Sequence, residues 1–268
     1  MRSVERSGDD ELGMVSAHIM DAKGSDAPRS LCPVIAGFMR GWCDGLANDA
    51  DRDRLLKPLI PRAVGTRNTA AVEETRRLLA LDWMIRVYAP AWLDLVEELR
   101  WCSTGLRELK PIVDTPTAVA AGKKAHMAML EAGPVSSRYW GGVGALLGEA
   151  YISAGDEGAG RSILAANVAA AGKAAWDVNR KLGADAWTAA GAAARAAAAG
   201  EVAAAVWAVL GPDARPRPRW EPAVLASPQT WDAAKAAAGT AVQAMLEPVT
   251  RRLQDSAFDL VGSMCQAG

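Results

Sequence analysis

Three observations predict an all-α fold, a single multi-helix bundle of about eight to ten helices. No segment alternates apolar and polar residues as a half-buried strand does. Alanine, the strongest helix former, dominates long tracts of the second half. In most of the remaining chain, large apolar residues recur at i, i+3, i+4 and i+7, the spacing of one helix face.

Taken in order, residues 1–29 are polar and read as a flexible tail, with one short helix over Leu12 to Met20 and a loop from Lys23 to Pro28. Residues 30–268 read as the helical domain. Ser30 and Pro33 suit a helix start, and Val34, Ile35, Phe38, Met39, Trp42 and Leu46 then form a 3.6-residue stripe. Asp49-Ala-Asp-Arg-Asp53 resembles the opening of a calcium loop. Arg54 occupies the glycine position and Ile60 that of the bidentate glutamate, so a helix N-terminus with favourable acids is the better reading. A connector with two prolines, Lys57 to Thr66, leads to the central element.

That element starts at Thr69, a suitable N-cap, and runs to Tyr88. Leu78, Leu79, Leu81, Trp83, Met84, Ile85, Val87 and Tyr88 cover nearly its whole circumference, the pattern of a helix buried among others. One polar strip interrupts it, because Thr75, Asp82 and Arg86 project within roughly 40° of each other. Asp82 and Arg86 stand at i,i+4 with the acid first, the favourable order for a helical ion pair. Pro90 predicts a kink or restart. An amphipathic helix from Ala91 follows, with Trp92, Leu95, Val96 and Leu99 inward and Asp94, Glu97, Glu98 and Trp101 outward.

Further along, Leu106 to Lys110 predicts a short helical turn. Thr115-Pro116 opens a helix that Gly133-Pro134 ends. From Tyr139 to Leu210 alanine and glycine dominate, with Trp140, Trp176, Trp187 and Trp207 as isolated large residues. Gly172-Lys-Ala-Ala-Trp176 is echoed eleven residues later by Gly183-Ala-Asp-Ala-Trp187. Eleven residues make about three helical turns, so the glycines and tryptophans recur on nearly one face. Residues 211–222, with Arg215, Arg217 and Arg219 alternating with prolines, predict an extended, exposed linker. Ser227-Pro228 starts the next helix, and Pro248 divides it from a last one over Val249 to Met264.

Composition excludes some functions. A formal net charge of −1 offers no electrostatic case for nucleic acid or an anionic membrane surface. No run of about 18 large apolar residues predicts a membrane span. The N-terminus has no signal-peptide core. Cys32, Cys43, Cys102 and Cys265 lack metal-ligand spacing, so reduced thiols in the cytoplasm are expected, with no metal and no cofactor. The chain has no Walker A loop, GxGxxG, GxSxG, HExxH or DDxxD motif. His18 and His126 are the only histidines, too few for a triad or a histidine metal site. Chemistry, if any, rests on groups near the apolar centre. The candidate ligand-binding set is therefore Asp82, Arg86, Tyr88, Trp83, Trp92 and Asp94. For Asp82 and Arg86 the alternative reading is an ion pair that fixes helix register.

Three segments together resemble a family of uncharacterised actinobacterial all-helical proteins with an alanine- and tryptophan-rich middle. They are Cys32-Pro-Val-Ile35, Leu59 to Thr66 and Leu81 to Leu95, with a similar closing segment at Leu253 to Leu260. The likeness spans residues 30 to 264, is most specific at the centre, and implies an intracellular helical protein with no assigned catalytic residue. In composition the middle is also distantly similar to all-helical immunity proteins of bacterial toxin systems. Three functions are thus expected in competition. One is a binding or scaffold protein of immunity or regulatory type. Another is an enzyme or small-molecule binder of specialised metabolism with a Trp-lined pocket around Asp82 and Arg86. The third is a homodimer joined through the alanine-rich face.

Overall fold

A computed structural model of the chain describes residues 2–20, 28–46, 48–147, 171–210 and 227–268. Every regular element among them is helical, and the bundle is all-α with helices in the expected number. The Arg/Pro segment at 211–222 lies outside the described residues.

Helix α1 (Arg2–Met20) contains the short helix expected over Leu12 to Met20 and begins earlier. Val15 and Ile19, spaced i,i+4, are fully enclosed, and His18 is buried beside them. This face packs on α2 (Pro33–Gly45), where Ile35, Phe38, Met39 and Trp42 fill the interior as their spacing predicts. Helix α3 (Asp49–Leu55) begins at Asn48, whose side-chain oxygen accepts the Asp51 N–H at 2.8 Å, so the acid-rich stretch is a capped helix start. A 3₁₀ turn (Lys57–Leu59) and the single-turn α4 (Ile60–Ala63) follow. Gly65, at φ 72°, reverses the chain in a region closed to most side chains.

Helix α5 (Ala70–Trp83) starts at Thr69, whose hydroxyl accepts the Val72 N–H at 3.5 Å. Pro90 neither kinks nor restarts the chain by itself. The backbone widens one turn earlier, through a π-turn over Met84–Tyr88, and continues as α6 (Ala89–Leu93), with the Ala89 N–H bonded five residues back to Met84. Proline supplies no N–H and its ring crowds the carbonyl four residues before it. The extra residue in the turn relieves both, and it turns Val87 to the surface, 40% exposed, where an all-round apolar helix would have buried it.

The amphipathic helix expected from Ala91 is broken. Helix α6 stops at Leu93, Val96 is extended, and a 3₁₀ turn (Glu97–Leu99) leads into α7 (Arg100–Arg107). Trp92, Val96 and Leu99 are still buried and Trp101 still points outward. The predicted turn at Leu106 to Lys110 is the end of α7 instead.

Two long helices run through the prolines expected to end them. Helix α8 (Thr115–Leu147) contains Pro134, and the last helix (Pro228–Gln266) contains Pro248. Both prolines face solvent, where a lost backbone bond is compensated by water. Between these helices come helical residues 171–177, a turn at 178–179, and α9 (Arg180–Leu210); Pro228–Gln266 is α10. By length and composition α9 is long and apolar enough to cross a membrane. Here its alanines serve close packing. Ala186, Ala189, Ala190, Ala193 and Ala194 are buried, and α9 packs on α8, α10, α6 and the π-turn. The alanine-rich face proposed as a homodimer surface is therefore occupied within the chain.

Candidate functional site

The centre of the molecule is a column of aromatic rings around Tyr88. Its ring lies 5.5 Å from Trp83, 6.2 Å edge-on from Trp92 and 6.0 Å from Trp187, with which it stacks at 9°. Trp176 stacks on the far side of Trp187 at 6.2 Å, and Phe38 joins Trp83 to Trp42. Trp176, on helical residues 171–177, and Trp187, on α9, are brought together by the turn at 178–179 between them, and their companion glycines receive the π-turn. A Cβ at Gly172 would stand 2.1 Å from Cζ of Tyr88, and one at Gly183 would stand 2.7 Å from Sδ of Met84. The tryptophans predicted to line a pocket are thus packed on one another and on Tyr88. Burial pushes the Tyr88 hydroxyl well above its ordinary pKa, and the nearby Trp92 indole offsets this only in part. That indole N–H approaches the phenol without reaching hydrogen-bond geometry.

Asp82 and Arg86 pair as the spacing predicts. Arg86 Nη1 donates to both carboxylate oxygens at 3.1 Å, and both side chains are about three-quarters buried, at 22% and 25% exposure. Asp82 Oδ1 also accepts the Ile112 N–H at 2.8 Å. Asp82 therefore fastens the connector between α7 and α8 to the central helix. Arg86 Nε is buried and has no hydrogen-bond partner.

Asp94 does not join this pair; no hydrogen bond or ion pair links it to Asp82 or Arg86. Its carboxylate accepts Ser103 Oγ at 2.5 Å and a two-pronged contact from Arg107, while Ser103 accepts Arg107 Nη1 at 2.7 Å. Burial, the largest single influence, raises the Asp94 pKa. Hydrogen bonds from Arg107 and Ser103, with the charges of Arg107 and Arg252, outweigh it and hold the carboxyl below its usual value. This cluster folds α7 back on α6, which is why the predicted continuous helix breaks at Asp94. Trp83 is also anchored, its indole N–H donating to Ser256 on α10 at 2.9 Å.

Sequence reasoning missed Arg76. It is 2% exposed and pairs with no carboxylate. Its guanidinium donates to Met264 O at 2.8 Å, to Ala267 O at 2.7 Å and to Thr66 O, closing the C-terminal end of α10. A cation at the negative end of a 39-residue helix is favoured by the helix dipole as well as by the bonds. The signal was available. Arg76 shares the buried stripe with Ala80 and Trp83, at i+4 and i+7.

An open cleft of about 510 Å³ lies at Pro248 on α10, lined by Glu247, Arg251, Arg252 and Asp255. Its charges are of both signs, and Arg251 pairs with Glu247. His126 Nδ1 lies 3.1 Å from Asp185, an exposed contact between α8 and α9. Among the described residues no three His, Cys, Asp or Glu side chains gather as a metal site. Comparison with protein-family models, with curated proteins and with solved structures finds no match, so the functional reading rests on this geometry.

Proposed function

We propose that the chain is a non-catalytic helical binding or scaffold protein that acts inside the cell, of immunity or regulatory type. One observation carries the reading. The charged side chains nearest the centre are each committed to holding helices together: Asp82 to Arg86 and the Ile112 N–H, Asp94 to Ser103 and Arg107, and Arg76 to three backbone carbonyls. Groups used this way leave the outer helix faces as the working surface. The test is native mass spectrometry of the protein purified from its own host, beside Asp82→Asn. The reading expects no retained small molecule, and an Asn variant less stable by about 1–3 kcal/mol, the usual loss when one partner of a buried polar pair is removed. A small molecule held by the wild type and lost from the variant would overturn it.

That outcome would favour the second reading, a small-molecule binder or enzyme of specialised metabolism using Asp82, Arg86 and Tyr88. Its support is the buried Arg86 Nε without a partner, a donor that a ligand acceptor would satisfy.

A further inference from the structure

We infer that the outward face of α8 binds a second copy of this chain, as an antiparallel helix pair about a two-fold axis near Met127 and Leu130. The inference names a partner for the binding reading and rests on it only in placing the working surface on a helix exterior.

The face carries large apolar groups without a neighbour. Met127 and Leu130 are each 49% exposed, and Val119 on the same side is 44% exposed. Ala120, Met127 and Pro134 recur every seven residues, with Leu130 three residues after Met127, which is the spacing of a helix-pairing seam. The seam from Val119 to Pro134 is about 24 Å long at 1.5 Å per residue. Ala120 is small enough to let a second helix approach closely. Lys123, seven residues before Leu130, shares its position in the seam, where its long stem lies along apolar surface and its ammonium reaches water.

The charges identify the occupant. Lys124 and Glu131 flank the seam on one side, are exposed, and make no ion pair among the described residues. They stand seven residues apart, so they occupy the same position of the repeat. When two helices pair antiparallel about a two-fold axis, that position on one copy faces the same position on the other, displaced along the axis. Opposite charges one repeat apart therefore meet twice, Lys124 of each copy beside Glu131 of the other. A parallel pair would not do this, since Lys124 and Glu131 would then lie across from the flank that carries Val119, His126 and Gly133, which offers neither a carboxylate nor an ammonium. The same symmetry sets Met127 against Leu130 of the second copy on both sides of the axis.

The test is sedimentation equilibrium of the full chain at tens of micromolar. The expected result is a species of twice the 28.1 kDa chain mass. Lys124→Glu places like charges in both symmetric contacts and should weaken the dimer about tenfold, and Lys124→Glu with Glu131→Lys should restore it. Met127→Asp, at an exposed position that leaves the core intact, should give a monomer with unchanged circular dichroism. A wild-type monomer, or a dimer indifferent to both Lys124→Glu and Met127→Asp, overturns the inference. Neither result bears on whether a small molecule is retained, so the binding reading stands or falls separately.

Discussion

Gly172 and Gly183 look equivalent in the eleven-residue echo, but they meet different neighbours. At Gly172 the obstacle to a methyl group is the buried, stacked ring of Tyr88, which cannot move aside. Gly172→Ala should destabilise the fold by about 3 kcal/mol, the upper range for overpacking a core. At Gly183 the obstacle is the flexible thioether of Met84, and alanine gains up to about 1 kcal/mol of helix propensity there. Gly183→Ala should therefore fall within about 1 kcal/mol of wild type, and urea midpoints measured side by side distinguish the two. Arg76→Met leaves the buried carbonyls of Met264 and Thr66, and the part-buried one of Ala267, without this donor and should cost about 3–5 kcal/mol.

Two of these single residues also set the pH response. Asp94 titrates below the ordinary 3.8, so its contribution is complete above that value and is lost as pH falls through the lowered one. Acid denaturation of Asp94→Asn should accordingly start from lower stability at neutral pH and show a shallower loss below about pH 4. Tyr88 is raised above the ordinary 10, so the unfolded chain ionises first and stability falls as pH rises past 10. Its phenolate absorbance should appear only with unfolding.

Pro90, Pro134 and Pro248 each follow at least one full helical turn of uninterrupted helix, and their surroundings set their effects. Pro90 is buried, and the π-turn before it aims Tyr88 into the aromatic column. Pro90→Ala removes the reason for the wide turn. Despite deleting a helix breaker, it should lower the melting temperature and reduce the near-ultraviolet tryptophan dichroism. Pro248 is exposed beside an open cleft, where no ring depends on it. Pro248→Ala should be neutral or stabilising, by up to the roughly 3 kcal/mol that proline costs a helix interior. Thermal melts of the pair decide whether the π-turn is required or merely tolerated. The sequence predicted a break at both positions, because proline chemistry is local. Only the neighbours determine whether a helix bends, widens or passes straight through.

At the scale of the whole molecule, one continuous core joins α1 to α10, and the four cysteines report its opening. Burial raises the thiol pKa of Cys43 and Cys265, and with a smaller contribution from Glu131 it pushes Cys102 up to about 11. Alkylation at pH 8 should mark Cys265 first. Cys32, Cys43 and Cys102 should react only as fast as the fold opens, and all four should modify promptly in denaturant. Prompt reaction of Cys102 in native buffer would mean that α7 detaches from α8 independently.

The sequence determined by itself that the protein is all-helical, that Thr69 starts one helix and Asp49 to Asp53 open another, which face of α2 is buried, and that Asp82 pairs with Arg86. Each follows from spacing along one helix or from a cap two or three residues away, and such short-range terms act before any tertiary contact forms. The tertiary structure alone decided the rest. It docked the predicted tail as α1, broke the chain at Asp94 to meet Ser103 and Arg107, and buried Arg76 under the end of α10. It also stacked the tryptophans of the alanine-rich half against Tyr88. These depend on partners up to 191 residues away. No pattern within a single helix encodes which distant group will satisfy a buried charge or fill the space beside a glycine.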